Sequence, residues 1–250
     1  MKTLIKKFII IIIIYSNSFI VFANDDLVTD LSESTVKISS TFSGADILLF
    51  GAYDGQKNDD IIVIVSGQKG MVKVDKKEKK YGIWMVTESI KFSNIPKYYY
   101  IASNRKIEDI TNINEIKKNK LDFNNFEFIN NRIDYKNLEK EWYKALKRNM
   151  KKKQFWKIEE NSIKLNKNTL FRKTLSLPSN VSTGIYNVKI LHYRKGNLIS
   201  QEQSKIKIDR TGISANIYNI AQNFSAIYGI IAVIIALFFG WFTNLIFRKI

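Results

Sequence analysis

His192 is the only histidine in the chain, and there is no cysteine among its 250 residues. These two facts remove disulfides, thiolate zinc or iron–sulfur sites, a cysteine nucleophile and any multi-histidine metal centre. His192 stands in a strand-like stretch beside Tyr193 and Arg194. A general base needs an acid to orient it, and no sequence neighbour supplies one, so a structural role is expected. Phosphate loops, GxGxxG and GxSxG are absent. The acid pairs Asp25-Asp26, Asp59-Asp60 and Glu159-Glu160 fall in loop-like stretches and lack the further oxygen ligands that calcium needs. Tyr98, Tyr99 and Tyr100 could stack a ligand, yet in a strand two of the three share one face and pack. No catalytic residue, cofactor or metal is assigned, and a non-enzymatic protein is expected.

Trp84 and Glu88 are the candidates for a partner or ligand surface. Trp84 reads first as a core anchor between sheets and second as a ligand platform. Glu88 lies between Thr87 and Ser89, whose hydroxyls can hold its carboxylate. It could meet a partner or a cation, or be a solvated strand residue.

Forty lysines and arginines against 23 acids give a net charge of +17, and 45% of the residues are apolar, so this is no disordered polyelectrolyte. Three of the positives lie in the first 23 residues and two at the extreme C-terminus, which leaves +12 between them. Lys144, Lys147, Arg148, Lys151, Lys152, Lys153 and Lys157 form a run without an acid. Such a run suits nucleic acid, but an exported domain does not meet it. Lys144, Lys147, Arg148 and Lys151 are therefore candidates for contact with anionic lipid headgroups, with a solvated helix face as the alternative.

The two ends determine the compartment. Lys2, Lys6 and Lys7 precede an apolar block at 8–14, and Val21 and Ala23 sit at the −3 and −1 positions of a cleavage site. Residues 1–23 thus read as a signal peptide, with an uncleaved anchor as the alternative. Residues 224–247 carry no charge and are long enough to cross a hydrocarbon core, and Arg248 and Lys249 follow at once. Positive residues remain on the cytoplasmic side, so the orientation is N-out, C-in, with a three-residue cytoplasmic tail at 248–250. Ser225, Gly229, Ala232, Ala236 and Gly240 recur at spacings of three and four. They form a small-residue face that would pack on another membrane helix or on a second copy.

Between these ends the pattern is mainly β. Residues 24–103 read as a β-sandwich domain of immunoglobulin-like type, with short strands at 35–40, 46–52, 61–65, 71–74, 83–87 and 98–102. Among them 46–52 is expected to be a buried strand, and 94–96 a turn. Residues 104–154 form a basic helical insertion. Its main helix starts near Tyr135 with Asp134 as cap and keeps Leu138, Trp142, Ala145 and Leu146 on one side. Strands return in a second β region, 155–211, with Lys195-Gly196-Asn197 as a hairpin turn, and 212–223 is a connector into the span. The expected class is a mainly β, immunoglobulin-like sandwich with a helical insertion and one C-terminal transmembrane helix.

The stretches 42–52 (FSGADILLFGA), 82–89 (GIWMVTES) and 184–188 (GIYNV), with the terminal Tyr228-Gly229, Gly240-Trp241 and Phe247-Arg248, occur in the order seen in one family. By them the chain resembles the alphaproteobacterial putative transmembrane protein family, a set of exported, single-span proteins. The resemblance implies a Gram-negative inner membrane, a periplasmic main domain and an accessory role beside a sulfite-exporter-type permease. It transfers no catalytic residues. The expected function is a membrane-anchored periplasmic interaction module. The alternative is a tethered binding protein for a small anionic solute, which needs a concave pocket with convergent Arg, Lys and Tyr.

Overall fold

The structure is a computed structural model that describes residues 27–127, 129–130 and 136–247. The expected leader at 1–23, the cap Asp134 and the tail at 248–250 lie outside the described residues.

In chain order the elements are β1 (Leu27–Leu31), β2 (Thr35–Ile38), β3 (Gly44–Tyr53), β4 (Asp59–Ser66), β5 (Lys69–Lys80), β6 (Ile83–Pro96) and β7 (Tyr99–Ser103). Then follow α1 (Ile107–Ile110), α2 (Ile113–Lys118), a 3₁₀ turn (Phe123–Asn125), β8 (Ile129–Asn130) and α3 (Lys136–Lys152). The chain continues through β9 (Trp156–Glu159), β10 (Lys164–Asn166), β11 (Leu170–Pro178), β12 (Gly184–Arg194) and β13 (Asn197–Arg210). It ends with α4 (Ile213–Asn223) and α5 (Ser225–Phe247).

The strands form an outer sheet β1-β3-β11-β10, a central sheet β2-β13-β12-β4-β7-β9, and a long β5–β6 hairpin joined briefly by β8. β11 pairs with β3, β12 with β4, and β9 with β7. Strands from 24–103 and from 155–211 are thus members of the same sheets, and the helical insertion is an excursion between them.

β4 shows how sequence dictates this layering. Its residues Ile61 to Val65 are all buried. A strand turns alternate side chains to opposite faces, so an unbroken apolar run requires cover on both. Ile61, Val63 and Val65 point into a core shared with Ile47, Leu49 and Phe171 of the outer sheet. Ile62 and Ile64 point the other way, into a second core with Phe92, Leu146 and Trp156. Each such side chain contributes roughly 1.5–3 kcal/mol on burial. The three tyrosines divide likewise: Tyr98 and Tyr100 join the first core and Tyr99 the second.

β3 behaves differently. It alternates, with Ile47 and Leu49 buried while Leu48 and Phe50 are exposed on the outer face. The run 46–52 is therefore covered on one face, not two as a buried strand would be. Gly51 gives the Phe171 ring room: a Cβ there would come within 2.5 Å of the Val28 carbonyl oxygen and 2.6 Å of the ring.

The turns follow the chemistry of two-residue hairpins, which need positive φ at both positions. Lys195 and Gly196 supply φ of 50° and 86°, as expected from sequence, and Tyr81 and Gly82 supply 52° and 82°. The expected turn at 94–96 is instead the end of β6, with Asn94 at φ 64°. The connector at 212–223 is helical, as α4.

Glu159 ties the two sheets together. Its carboxylate meets Lys173 of β11 at 2.6 Å, Tyr100 Oη at 2.6 Å and Lys157 at 2.5 Å. Burial works to raise its pKa, but the hydrogen bonds from Lys157, Lys173 and Tyr100 prevail and hold it at about 2. A carboxylate with a lowered native pKa stabilises fully above its unfolded value, here 4.5, and loses that contribution as pH falls toward about 2. Glu159→Gln is expected to lower stability near neutral pH by ~2 kcal/mol. The gap to wild type should close as pH drops through that window, read by urea titration at a series of pH values.

Candidate functional site

The single histidine has an acid partner after all. His192 Nε2 lies 2.9 Å from Asp59 Oδ2, and Nδ1 lies 3.3 Å from Ser200 Oγ. Ser200 is directly opposite His192 across the β12–β13 ladder. Arg194 closes on the same carboxylate, its Nε 3.0 Å from Oδ1 and one terminal nitrogen 2.9 Å from Oδ2, and also donates to the Asp54 carbonyl at 2.7 Å. Sequence proximity missed this because Asp59 is 133 residues away; only the β4–β12 pairing brings them together.

Asp59 and Asp60 are not in a loop, as their context suggested, but open β4 and are buried. As adjacent strand residues they face opposite ways. Asp60 is held by Arg105 through Nε at 2.6 Å and a terminal nitrogen at 2.5 Å, and by Asn104 at 2.9 Å. Burial works to raise the Asp59 carboxyl, but hydrogen bonds from Arg194, the Gln56 N–H and His192, with the Arg194 charge, hold it below the usual carboxylate range. A serine, histidine and aspartate in a row have the types of a hydrolytic triad. Here the imidazole is 0% exposed, both nitrogens are occupied and the Tyr53 ring packs edge-on at 5.0 Å. It has no free face for a substrate, and the arrangement acts as a clasp on the sheet end.

The surfaces are more informative. Trp84 is 68% exposed, so its reading as a core anchor is corrected: it stands near the tip of the β5–β6 hairpin, past the last residues that reach the second core. Tyr81 is 100% exposed at the turn itself, and Ile83, Met85 and Val86 are exposed with it. Glu88 lies lower on the same hairpin, 3.8 Å from Lys76, and lines a shallow cleft with Trp142 and Arg148 of α3. Trp84 and Glu88 thus share a strand but not one surface.

On α3, Trp142, Leu146 and Met150 are buried in the second core, while Lys144, Arg148 and Lys151 are exposed. Two of the basic residues have local partners. Lys147 bonds to Asn124 and lies 5.3 Å from the Tyr143 ring centre, and Lys151 lies 5.3 Å from that of Phe123. The 3₁₀ turn thus engages part of this face.

The outer sheet carries an open cleft of about 780 Å³ whose lining includes Val28, Phe50, Leu170, Lys164 and Arg172. α5 is 23 residues long, its most apolar 18-residue stretch has a mean hydropathy of 2.4, and none of it is buried. At ~1.5 Å per residue it reaches ~35 Å, enough for a hydrocarbon core of ~30 Å. Ser225, Gly229, Ala232, Ala236 and Gly240 all lie on it within one face, and a Cβ at Gly229 or Gly240 would meet nothing within 4 Å. Among the described residues no group of three or more His, Asp or Glu side chains could hold a metal ion.

No curated protein and no solved structure matches the chain. Residues 26–249 match the family described as Putative transmembrane protein (Alph_Pro_TM), which spans the outer sheet, the central sheet, the hairpin and the apolar helix alike. The chain is a member of that transmembrane protein family.

Proposed function

We propose that the protein is a membrane-anchored interaction module. An immunoglobulin-like β-sandwich, elaborated on one side by the hairpin and helices, is held on the periplasmic face of an inner membrane by α5 and docks a partner without catalysing a reaction. The observation that carries this reading is α5 itself, a 23-residue, mostly apolar helix without a charged residue and with no side chain buried. Apolar surface of that extent is unfavourable in water and favourable in lipid. Arg248 and Lys249 after the span support C-in, N-out. The small-residue face from Ser225 to Gly240 suits close approach of a second membrane helix, for which a sulfite-exporter-type permease is the proposed partner.

A chain without cysteine permits a direct test. Lys167→Cys in the body is expected to react with a membrane-impermeant maleimide in intact spheroplasts, and the protein should stay in the pellet after alkaline carbonate. Ile234→Arg with Leu237→Arg should release it, since each central arginine costs ~2.5–3.5 kcal/mol on insertion. Labelling that needs a permeabilised membrane would overturn the topology. For the partner, a photo-crosslinker at Ala232 should capture the permease, and leucines at Gly229, Ala236 and Gly240 should abolish the adduct. Persistence of the adduct would sink the helix-packing role.

The second reading, tethered binding of a small anionic solute, draws on the outer-sheet cleft, where Arg172 and Lys164 border an apolar floor. Such a lining suits an anion with an apolar body better than an inorganic oxyanion.

A further inference from the structure

The β5–β6 hairpin differs along its length. Near its root Val74, Ile90 and Phe92 are buried in the second core, and β8 pairs with Phe92 and Ser93. Beyond Glu88 nothing covers it: every residue from Tyr81 to Val86 is exposed. The two strands of this free end differ in chemistry. Opposite one another stand Lys80 and Ile83, Lys79 and Trp84, and Lys77 and Val86. One strand is therefore basic, and the other is apolar with an indole and, at the turn, a phenol. From Lys76 to Val86 there are four lysines and one glutamate. Lys76 pairs with Glu78 at 2.9 Å, while Lys77, Lys79 and Lys80 are exposed.

A soluble surface has no use for six consecutive exposed residues of which five are apolar or aromatic. Trp and Tyr favour the membrane–water interface, where the ring is buried and its polar atom is wet. Lysines beside them extend their stems and place ammonium groups at lipid phosphates. The root of the hairpin lies near the end of the body that leads into α4 and α5, since Gln68 packs on Gly184, which pairs with Ile208 near the end of β13, and the ribbon carries the tip away from that root.

We propose that the hairpin tip, residues 76–86, dips into the surface of an anionic bilayer. Tyr81, Ile83, Trp84, Met85 and Val86 sit at headgroup depth, and the four lysines lie against lipid phosphates. Both ribbon edges of the tip have unpaired backbone groups, which the hydrocarbon core does not tolerate. This limits immersion to the wet interfacial layer, ~5–10 Å. The inference rests on the membrane-anchored reading for the supply of lipid but makes a separate claim: the body holds a second, reversible contact that sets its orientation over the bilayer.

The test uses the full chain in nanodiscs of phosphatidylglycerol or phosphatidylcholine, with a nitroxide on Tyr81→Cys, on Lys167→Cys as an aqueous reference, or on Ile234→Cys. Collision with oxygen relative to a polar nickel complex reads depth. The tip label is expected to be several-fold more oxygen-accessible, relative to nickel, than the reference in phosphatidylglycerol, and much less so in phosphatidylcholine. Replacing Lys76, Lys77, Lys79 and Lys80 by glutamine should cut the immersed population by about fivefold per lysine. A tip label that is aqueous in both lipids, or equally immersed in both, overturns the proposal. So does one shielded from both reagents with concentration-dependent dipolar broadening, which would mark the tip as a contact between copies. The Ile234 label reports separately on the anchor, so failure of α5 to enter lipid is distinguished from failure of the tip.

Discussion

Asp59→Ala should destabilise the full-length protein by about 3–5 kcal/mol, the range for removing one partner of a buried ion pair. The carboxylate is the shared acceptor for His192, Arg194 and the Gln56 N–H. Its loss takes the carboxylate from the Arg194 guanidinium and takes from His192 the partner of its Nε2. It also frees the start of β4, the strand on which both cores rest. Asp59→Asn keeps an acceptor oxygen and the volume and should recover part of the loss. Because the native carboxyl is held below its ordinary value of 3.8, its contribution is complete above that pH and fades as pH falls through the native value. Urea titration of the detergent-solubilised chain reads this. A change under ~1 kcal/mol would show that the clasp contributes little and would reopen a functional role for His192.

The second large effect is expected at Trp156. It is 1% exposed on β9, with the Phe123 and Phe126 rings at 5.4 and 5.0 Å and its indole Nε1–H donating to the Pro96 carbonyl at 2.9 Å. It joins the edge of the central sheet to the 3₁₀ turn and, through the second core, to Met150 of α3. Trp156→Ala should cost ~3–5 kcal/mol by cavity formation and an orphaned carbonyl. Trp156→Phe should restore most of the packing and lose ~1 kcal/mol for the hydrogen bond. Thermal unfolding followed by near-ultraviolet circular dichroism separates the two, since the aromatic cluster dominates that signal. If phenylalanine proves as costly as alanine, the hydrogen bond rather than the volume anchors this edge.

Local patterns translated well where the cause was local. The runs at 61–65 and 98–102, the Lys195-Gly196 turn and the amphipathic stretch around Trp142 are read from alternation, turn chemistry and helical period. The structure forms them as β4, β7, a tight hairpin and α3. The strand run at 46–52 was legible as a strand but not as half-exposed, because nothing in Leu48 or Phe50 says whether a second layer covers them. Trp84 misled for a related reason. A tryptophan among apolar strand residues satisfies the pattern of a core, and only the length of the hairpin past its last buried residue shows that it stands outside. β1, β10 and α4 are short, or carry polar residues, and gave no clear periodic signal.

Composition and the charge-free stretch at 224–247 were by themselves enough to exclude cysteine and multi-histidine chemistry and to specify an apolar helix long enough to cross a membrane, with its small-residue face. Those properties depend on residue type and on the period of a single helix. Which acid meets His192, why two adjacent aspartates are both buried, and which apolar residues remain in the open were decided by the tertiary structure alone. Each is a property of pairing between segments some 45 to 135 residues apart, or of a layer that is present over one face and missing over another, and no local spacing encodes either.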